Sequence, residues 1–555
     1  MVSVWLIVLA VVVPILCLAL NYYLLVYYQH PDDKNDAYFP KFVVVIGLTI
    51  AMLTVLLVPF DVANQTTQFG CGVWTNSCGD LSLAWVWQIL FLIIGLLVLI
   101  VIPCTIFFYE SFDYKNKTCK SACSSALLSQ ITIVIVFIAV FIGCFFGLNQ
   151  TELPIQNFQA SVFVTCPTGG CVPSFTPPSF VEDFQSQVVA FGTPILVFLP
   201  AFLGFVGWFI FSIYVGVGLI ALPMDLIRAF IYRPKYMPKD LYEHTKLEIQ
   251  KRTLELLGVG QAIRKEAELS DLETTLSDKM NPSKIIRRRK EGRLYNEFKK
   301  QVLEVEEDFS DLKLCHENWT GYNPFIPFFK LAAGIVAAII SLLWILQIIL
   351  YNLARTPYGP DGIPASYFLN VMFSWASKEI SFALFGTVLI GLFSMQLLFC
   401  VMKGNEKVGL RFFIVEIHPM KFGATYMNSF MVNTSLILLC IAPLVQFVSS
   451  SLREYVVLTD VDAIFGQQIT YIGFFKYFFM NNVFVIIMIS IAFITFVVML
   501  WCPNDKNMKQ SQSLSRKVEQ FQKSMPAGPA SRMVSLNSNS NAASSALEDT
   551  SIAHI

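Results

Sequence analysis

Nine apolar runs of about 20 residues succeed one another along this chain, and that pattern leaves it few ways to fold. They lie at Ser3–Tyr27, Phe42–Phe60, Leu83–Phe108, Ala126–Leu148, Val188–Ile213, Phe329–Leu353, Ile380–Met402, Met427–Ser449 and Tyr477–Trp501, and apart from Lys330 at the very head of the sixth no charged residue falls inside them. A helix rises about 1.5 Å per residue, so each run crosses a hydrocarbon layer of about 30 Å with its backbone polar groups paired internally. The expected fold is an all-α integral membrane protein with about nine transmembrane helices. The first run is too long for a signal peptide, has no basic residue ahead of it and shows no small-residue cleavage site, so it is read as a retained helix. Charged residues make up only 14% of the 555, beside 49 Phe, whereas a soluble domain carries about 25%. That balance excludes an ordinary cytosolic globular protein, a disordered chain and a classical nucleic-acid binder.

The net charge is zero, with 39 Lys+Arg against 39 Asp+Glu, yet the cations are unevenly placed. With the N-terminus exoplasmic and the C-terminus cytoplasmic, 35 of the 39 cations face the cytoplasm and only Arg355, Lys378, Arg453 and Lys476 lie outside. Lys and Arg near span ends are held on the cytoplasmic side. Leaving out the long central loop, the weakest evidence for orientation, still gives 15 against 4. The expected organisation is membrane helices 1–5 with exoplasmic loops in residues 1–227, a cytoplasmic helical hairpin in 228–328, membrane helices 6–9 in 329–501 and a disordered cytoplasmic tail in 502–555.

Among 13 cysteines, Cys71 and Cys78 share one exoplasmic loop and Cys166 and Cys171 share the next. These four are disulfide candidates, with two local bridges the simplest pairing and cross-loop pairing the alternative. Cys119, Cys123 and Cys502 are juxtamembrane, where idle thiols are favoured over acylation. Of five glycosylation triplets, Asn64 and Asn149 are on the permissive side, both almost at a span end. In the central loop, Leu294, Phe298, Val302, Val305, Phe309 and Leu312 line one helical face, and Asn281–Pro282 provides a helix start between two helices. The cluster Arg287, Arg288, Arg289 and Lys290 is a candidate contact with anionic lipid, weighed against a simple solvated face.

The five histidines form no zinc pattern and no phosphate-binding glycine loop is present, so neither enzyme activity nor a cofactor is expected. Gly216-Val217-Gly218 reads as a place of close helix packing. Asp61, Glu110 and Asp225 stand only at span ends, which counts against proton coupling. The spans instead carry Pro14, Pro59, Pro103, Pro194, Pro200 and Pro443, with Asn21, Gln88, Asn433 and Gln446. Proline kinks either shape the bundle or open an apolar groove suited to a lipid or hydrophobic ligand.

Three stretches carry a resemblance. Tyr28 to Asn64 (YQHPDDKNDAYFPKFVVVIGLTIAMLTVLLVPFDVAN), Val215 to Lys235 (VGVGLIALPMDLIRAFIYRPK) and Ile417 to Phe447 (IHPMKFGATYMNSFMVNTSLILLCIAPLVQF) resemble the plant and protist branch of the lipocalin-interacting membrane receptor (LIMR, or LMBR-like) family, in the same order and with the same hydropathy. The resemblance implies nine spans, an exoplasmic N-terminus, a large central cytoplasmic loop and a cytoplasmic tail. Members are described as endocytic receptors for lipocalins, as lysosomal partners in cobalamin export and as accessories of signalling receptors. No shared site residues carry over. The expected role is a non-enzymatic receptor or trafficking accessory at a plasma or endolysosomal membrane. Its partners would be membrane lipid, an extracellular or luminal ligand and a cytoplasmic adaptor or receptor protein, with no nucleic acid. The alternative is a carrier or exporter subunit for a small apolar or cofactor-like molecule.

Overall fold

The computed structural model describes residues 4–29, 38–64, 66–67, 70–71, 83–111, 119–156, 163–165, 172–174, 186–231, 239–272, 298, 301–302, 305–306, 308–309, 312, 325–356, 363–379, 385–408, 411–412, 415–416, 425, 427–456 and 459–501. Among them are nine helical spans long and apolar enough to cross a membrane: Val8–Tyr28, Tyr38–Asn64, Ala84–Tyr109, Gln130–Leu148, Ile195–Ile231, Phe325–Leu353, Phe385–Lys407, Met427–Ser451 and Val483–Trp501. The chain is an all-α multi-pass membrane protein in two compact units, residues 1–231 with 327–499, and 232–326 with 500–555.

Two spans begin later than hydropathy suggests. Val188–Gly192, expected at the head of the fifth span, belongs to a strand, Ser186–Gly192, paired antiparallel with Gln150–Gln156. The segment SQVVAFG is as apolar as a helix start, but Pro194 biases Thr193 toward extended backbone. The helix starts after that proline, whose carbonyl accepts from the amides of Val197 and Phe198 at 2.9 and 3.0 Å. Likewise Tyr477–Met480 belongs to a short separate helix, Phe475–Met480, and Asn482 at φ 52° breaks the chain before Val483–Trp501 begins. Asparagine tolerates this left-handed backbone better than most residues.

The fifth span, 37 residues long, is the axle of the first unit. Apolar side chains gain little by leaving lipid for each other, so close association in a bilayer depends on packing, and small residues make it closest. Gly218 faces the backbone carbonyl of Cys400 on the seventh span, while Gly404 faces the carbonyl of Tyr214 on the fifth. Each glycine thus meets the residue four positions before the other. Gly216 meets the ninth span in the same way, a Cβ there standing 2.7 Å from the carbonyl oxygen of Met488, so Gly216-Val217-Gly218 is a helix-packing element as its sequence suggests. At the far end of this seam, Asp225 lies 2.9 Å from Lys403 and 2.8 Å from Lys407, closing the same two helices with charge.

The first and fourth spans are peripheral and bury least. Asn21, fully buried, ties the first span to the second by donating to Thr49 at 3.2 Å. The third span widens into a π turn at Leu97–Val101, and Gln130 of the fourth span donates to the carbonyl of Leu99 at 2.7 Å. Asn21 donates to Met52 Sδ as well, at 3.5 Å, and because a buried amide is expensive in lipid unless paired, these bonds help to register the outer helices.

In the second unit, helix Lys239–Leu272 meets the described residues between 298 and 312 in reversed order. Tyr242 and Ile249 pack with Leu312, Phe309 and Val305, Arg252 approaches Asp308 at 3.8 Å, and Gly260 lies under the ring of Phe298. Leu294, Asn281–Pro282 and the cluster Arg287, Arg288, Arg289 and Lys290 lie outside the described residues.

Candidate functional site

The chain between the eighth and ninth spans folds back onto the bundle instead of looping clear of it. Leu452, Tyr455, Val461, Phe465 and Ile472 are all buried, and residues Asp462–Ile469 form a π turn. Two carboxylates anchor this inserted segment. Oδ2 of Asp61, at the end of the second span, accepts from the indole N–H of Trp87 at 3.0 Å and from the amide of Val461 at 2.8 Å. Asp460 Oδ2 accepts from the amide of Leu83 at 2.7 Å. The 150–156 strand closes the outer side: Glu152 donates its amide to the carbonyl of Tyr471, and its carboxylate pairs with Lys476, whose pKa that bond raises.

Behind the segment lies a cavity of about 150 Å³. Its floor is a relay of hydrogen bonds. Trp208 donates to Oε1 of Gln446 at 2.7 Å, Gln446 Nε2 donates to Thr470 at 3.3 Å, and Thr470 donates to the carbonyl of Phe465 at 2.9 Å. Phe484 stacks on the indole with centroids 5.3 Å apart. Below, Gly207 lies against the carbonyl of Leu439, so the floor rests on backbone-tight packing.

From the π turn Ile348–Leu353, Asn352 enters the lining, donating to Ser451 Oγ at 2.9 Å and offering its carbonyl to Asn482 at 3.0 Å. Arg355 follows it, its Nε bonded to the carbonyl of Tyr351 and its guanidinium 5.6 Å from that ring. Arg453 and Asp462 complete the charged lining. Asp462 is 5% exposed, and its Oδ1 has no hydrogen-bond partner. Burial pushes its pKa up, opposed by the field of Arg453 and a hydrogen bond from Gln467. Gly466 makes room for this carboxylate, since a Cβ there would collide with Oδ1.

The polar residues flagged by sequence divide between cavity and packing. Gln446 lies in the cavity floor, whereas Asn21 and Asn433 are buried within the bundle. Arg355 and Arg453, noted only for their side of the membrane, converge at the cavity. Trp208, Asn352 and Asp462 carried no sequence signal, because the cavity joins elements up to 277 residues apart. Pro14 and Pro59 together line a second, apolar groove of about 420 Å³ between the first, second, third and seventh spans, with Leu9, Leu56, Leu90 and Met395.

The candidate disulfide and sugar sites are mostly out of view. Cys71 ends a short strand, Gly70–Cys71, and its side chain lies outside the described residues, as do Cys78, Cys166 and Cys171. Asn64 is 6% exposed at its helix end, and Asn149 is half-buried. Among the described residues, no group of three His, Cys, Asp or Glu is placed to hold a metal ion.

Comparison with known proteins agrees with this architecture. Residues 6–313 match the LMBR1-like membrane protein family. A LIMR family protein of Dictyostelium discoideum is 30% identical over 91% of this chain and 99% of its own length. LIMR family proteins of Arabidopsis thaliana and Oryza sativa subsp. japonica are 31% and 30% identical, each over 89% of this chain and 95% of the relative. No solved structure matches. Both the family match and the near full-length relatives place the chain in one group: it belongs to the LMBR1-like, or LIMR, family of multi-pass membrane proteins.

Proposed function

We propose that this protein is a non-enzymatic receptor or trafficking accessory that captures a ligand on the exoplasmic side of a plasma or endolysosomal membrane. The single observation that carries this reading is the polar cavity closed from below by the Trp208–Gln446 floor. Buried polar groups inside a membrane protein are costly, and their convergence around a cavity is the usual mark of a binding site. The sidedness of the cations supports placing that end outside, with the N-terminus. In this orientation residues 228–328 form a cytoplasmic helical hairpin, supported by the reversed order of contacts between helix Lys239–Leu272 and residues 298–312, and available to an adaptor. The test replaces Leu241–Leu314 with a Gly/Ser linker in the tagged chain. Proximity labelling should lose its cytoplasmic partners while membrane insertion persists, and an unchanged partner set would count against an adaptor-binding receptor.

A second reading, a carrier subunit for a small apolar or cofactor-like molecule, draws on the apolar groove beside Pro14 and Pro59. The purified chain in liposomes would then accelerate transfer of a fluorescent phosphatidylcholine between leaflets. A tight assay with no acceleration removes that reading for lipid cargo.

A further inference from the structure

Neither the receptor nor the carrier reading says what fills the apolar groove at rest. We propose that the groove is a one-leaflet binding site for a single acyl chain of a bilayer phospholipid, which completes the packing of the first span against the second and seventh.

The first span shows the gap in its own sequence. Ala10, Pro14, Cys17, Asn21 and Leu25 follow at spacings of 4, 3, 4 and 4, which places them on one helical face. Cys17, Asn21 and Leu25 are buried, whereas Pro14 is half-buried and Ala10 exposed. The packing face thus continues past the end of its protein contacts, and the groove is what lies against it. Its inner end is shut where Asn21 donates to Thr49 and Met52, all three of them buried.

Depth identifies the leaflet. The spans cross alternately, so the starts of the first, third and seventh and the end of the second lie on one side of the membrane. Every lining residue falls within eleven positions of those ends, from Leu9 beside Val8 to Leu53 before Asn64. At about 1.5 Å per residue that reaches about 17 Å, close to half of a hydrocarbon core of about 30 Å.

Chemistry and volume identify the occupant. Among the described lining residues Thr387 is the one polar side chain, and its oxygen is buried, so the wall offers nothing to a headgroup or a sterol hydroxyl. Leu9, Val388 and Leu392 in the lining are exposed, which makes the groove continuous with the surface that the spans turn toward hydrocarbon. A dry apolar cavity of about 150 Å³ holds benzene, so by proportion about 420 Å³ holds roughly 17 carbons, one long acyl chain. A rigid fused-ring sterol is bulkier, and a helix, about 10 Å across, is larger still.

The experiment places the full-length chain in nanodiscs of dioleoylphosphatidylcholine that contain a phosphatidylcholine with a diazirine midway along one acyl chain. After photolysis, cross-links are mapped by peptide mass spectrometry. Labelling of Leu9–Pro14 and Leu53–Phe60 should exceed that of Gln130–Leu148, the least buried of the nine described spans and so the measure of ordinary lipid contact. Gly391→Leu should lower groove labelling to that level. A Cβ there stands 3.6 Å from Pro59, an ordinary contact that directs the new side chain into the groove without a backbone clash. Val388→Trp, at an exposed position, should do the same by covering the mouth. Native mass spectrometry of the unaltered chain released from the disc should show a single retained phosphatidylcholine that both variants lose. Groove labelling no stronger than that of the fourth span would overturn the proposal. So would labelling unchanged in both variants while they melt like the unaltered chain, displacement of the acyl probe by cholesterol, or cross-links joining the groove to a second copy of the chain. The carrier reading fails separately, through absence of phospholipid transfer between leaflets, and acyl-chain occupancy would survive that failure.

Discussion

Trp208 and Gln446, 238 positions apart, share a 2.7 Å hydrogen bond across the interface of the fifth and eighth spans, with both side chains buried. This bond makes the cavity floor polar above and sealed below. Gln446→Leu strands the indole N–H and should destabilise the protein by about 1–3 kcal/mol. Trp208→Phe in the same background should recover part of that loss, because it removes the stranded donor. Thermal unfolding of the two single variants and the double variant gives the coupling directly, and strict additivity would sink the floor's assignment as a linked pair.

Gly218 and Gly404 should be intolerant of any side chain. Alanine at either position drives a methyl group into a facing carbonyl on a neighbouring helix, and overpacking of this kind costs about 1–3 kcal/mol. Gly143 is the control, since nothing lies within 4 Å of a Cβ there. Gly143→Ala should leave the melting temperature unchanged or slightly raised. Similar melting for all three variants would show that the fifth and seventh spans are not in backbone contact.

Asp61 should matter through its acceptor oxygen more than its charge. Both Trp87 and Val461 donate to the same Oδ2, so Asp61→Asn keeps an acceptor for both. Asp61→Ala strands two donors at about 1–3 kcal/mol each and should loosen the inserted segment. Hydrogen exchange in residues 459–472 should accelerate in the alanine variant and stay close to normal in the asparagine variant. Equal acceleration in both would assign the role to charge.

Asp462 should make stability depend on pH in the sense opposite to that of a salt-bridged carboxylate. Its pKa is raised above the ordinary 3.8 by burial, so the native state keeps its proton to a higher pH than the unfolded chain. This group's contribution therefore weakens as pH rises through the native value and recovers as pH falls toward 3.8. Asp462→Asn should accordingly melt higher than the unaltered chain at about pH 7, with the gap closing toward about pH 4. A gap that widens in acid would mean that Arg453 dominates over burial.

The parts of this fold that a linear pattern encodes were legible in advance. Hydropathy alone places nine spans, and Gly216-Val217-Gly218 announces close packing because small residues in an apolar helix have few other uses. Apolarity cannot tell a strand from a helix start. Hydropathy runs Val188–Gly192 into the fifth span although Thr193–Pro194 marks its end, and Tyr477–Met480 into the ninth although Asn481–Asn482 does the same. The cavity was the least visible. Gln446 stood out as an amide within a span, but Asp462 sits in an unremarkable loop sequence, and only the fold brings it to Arg355 and Trp208.

The mutual stagger of Gly218 and Gly404 limits how this molecule is able to move. Sliding the fifth span one turn along the seventh, about 5.4 Å, would bring Tyr214 or Leu222 to the place that only a glycine fills. The pair acts as a key in a keyway and blocks ratchet-like shear between the two central helices. The wider turns at Ile348–Leu353 and Asp462–Ile469, which bring Asn352 and Asp462 to the cavity, lie outside this seam. Any rearrangement that keeps the fifth and seventh spans in backbone contact is therefore confined to tilt or rotation of the pair as a whole.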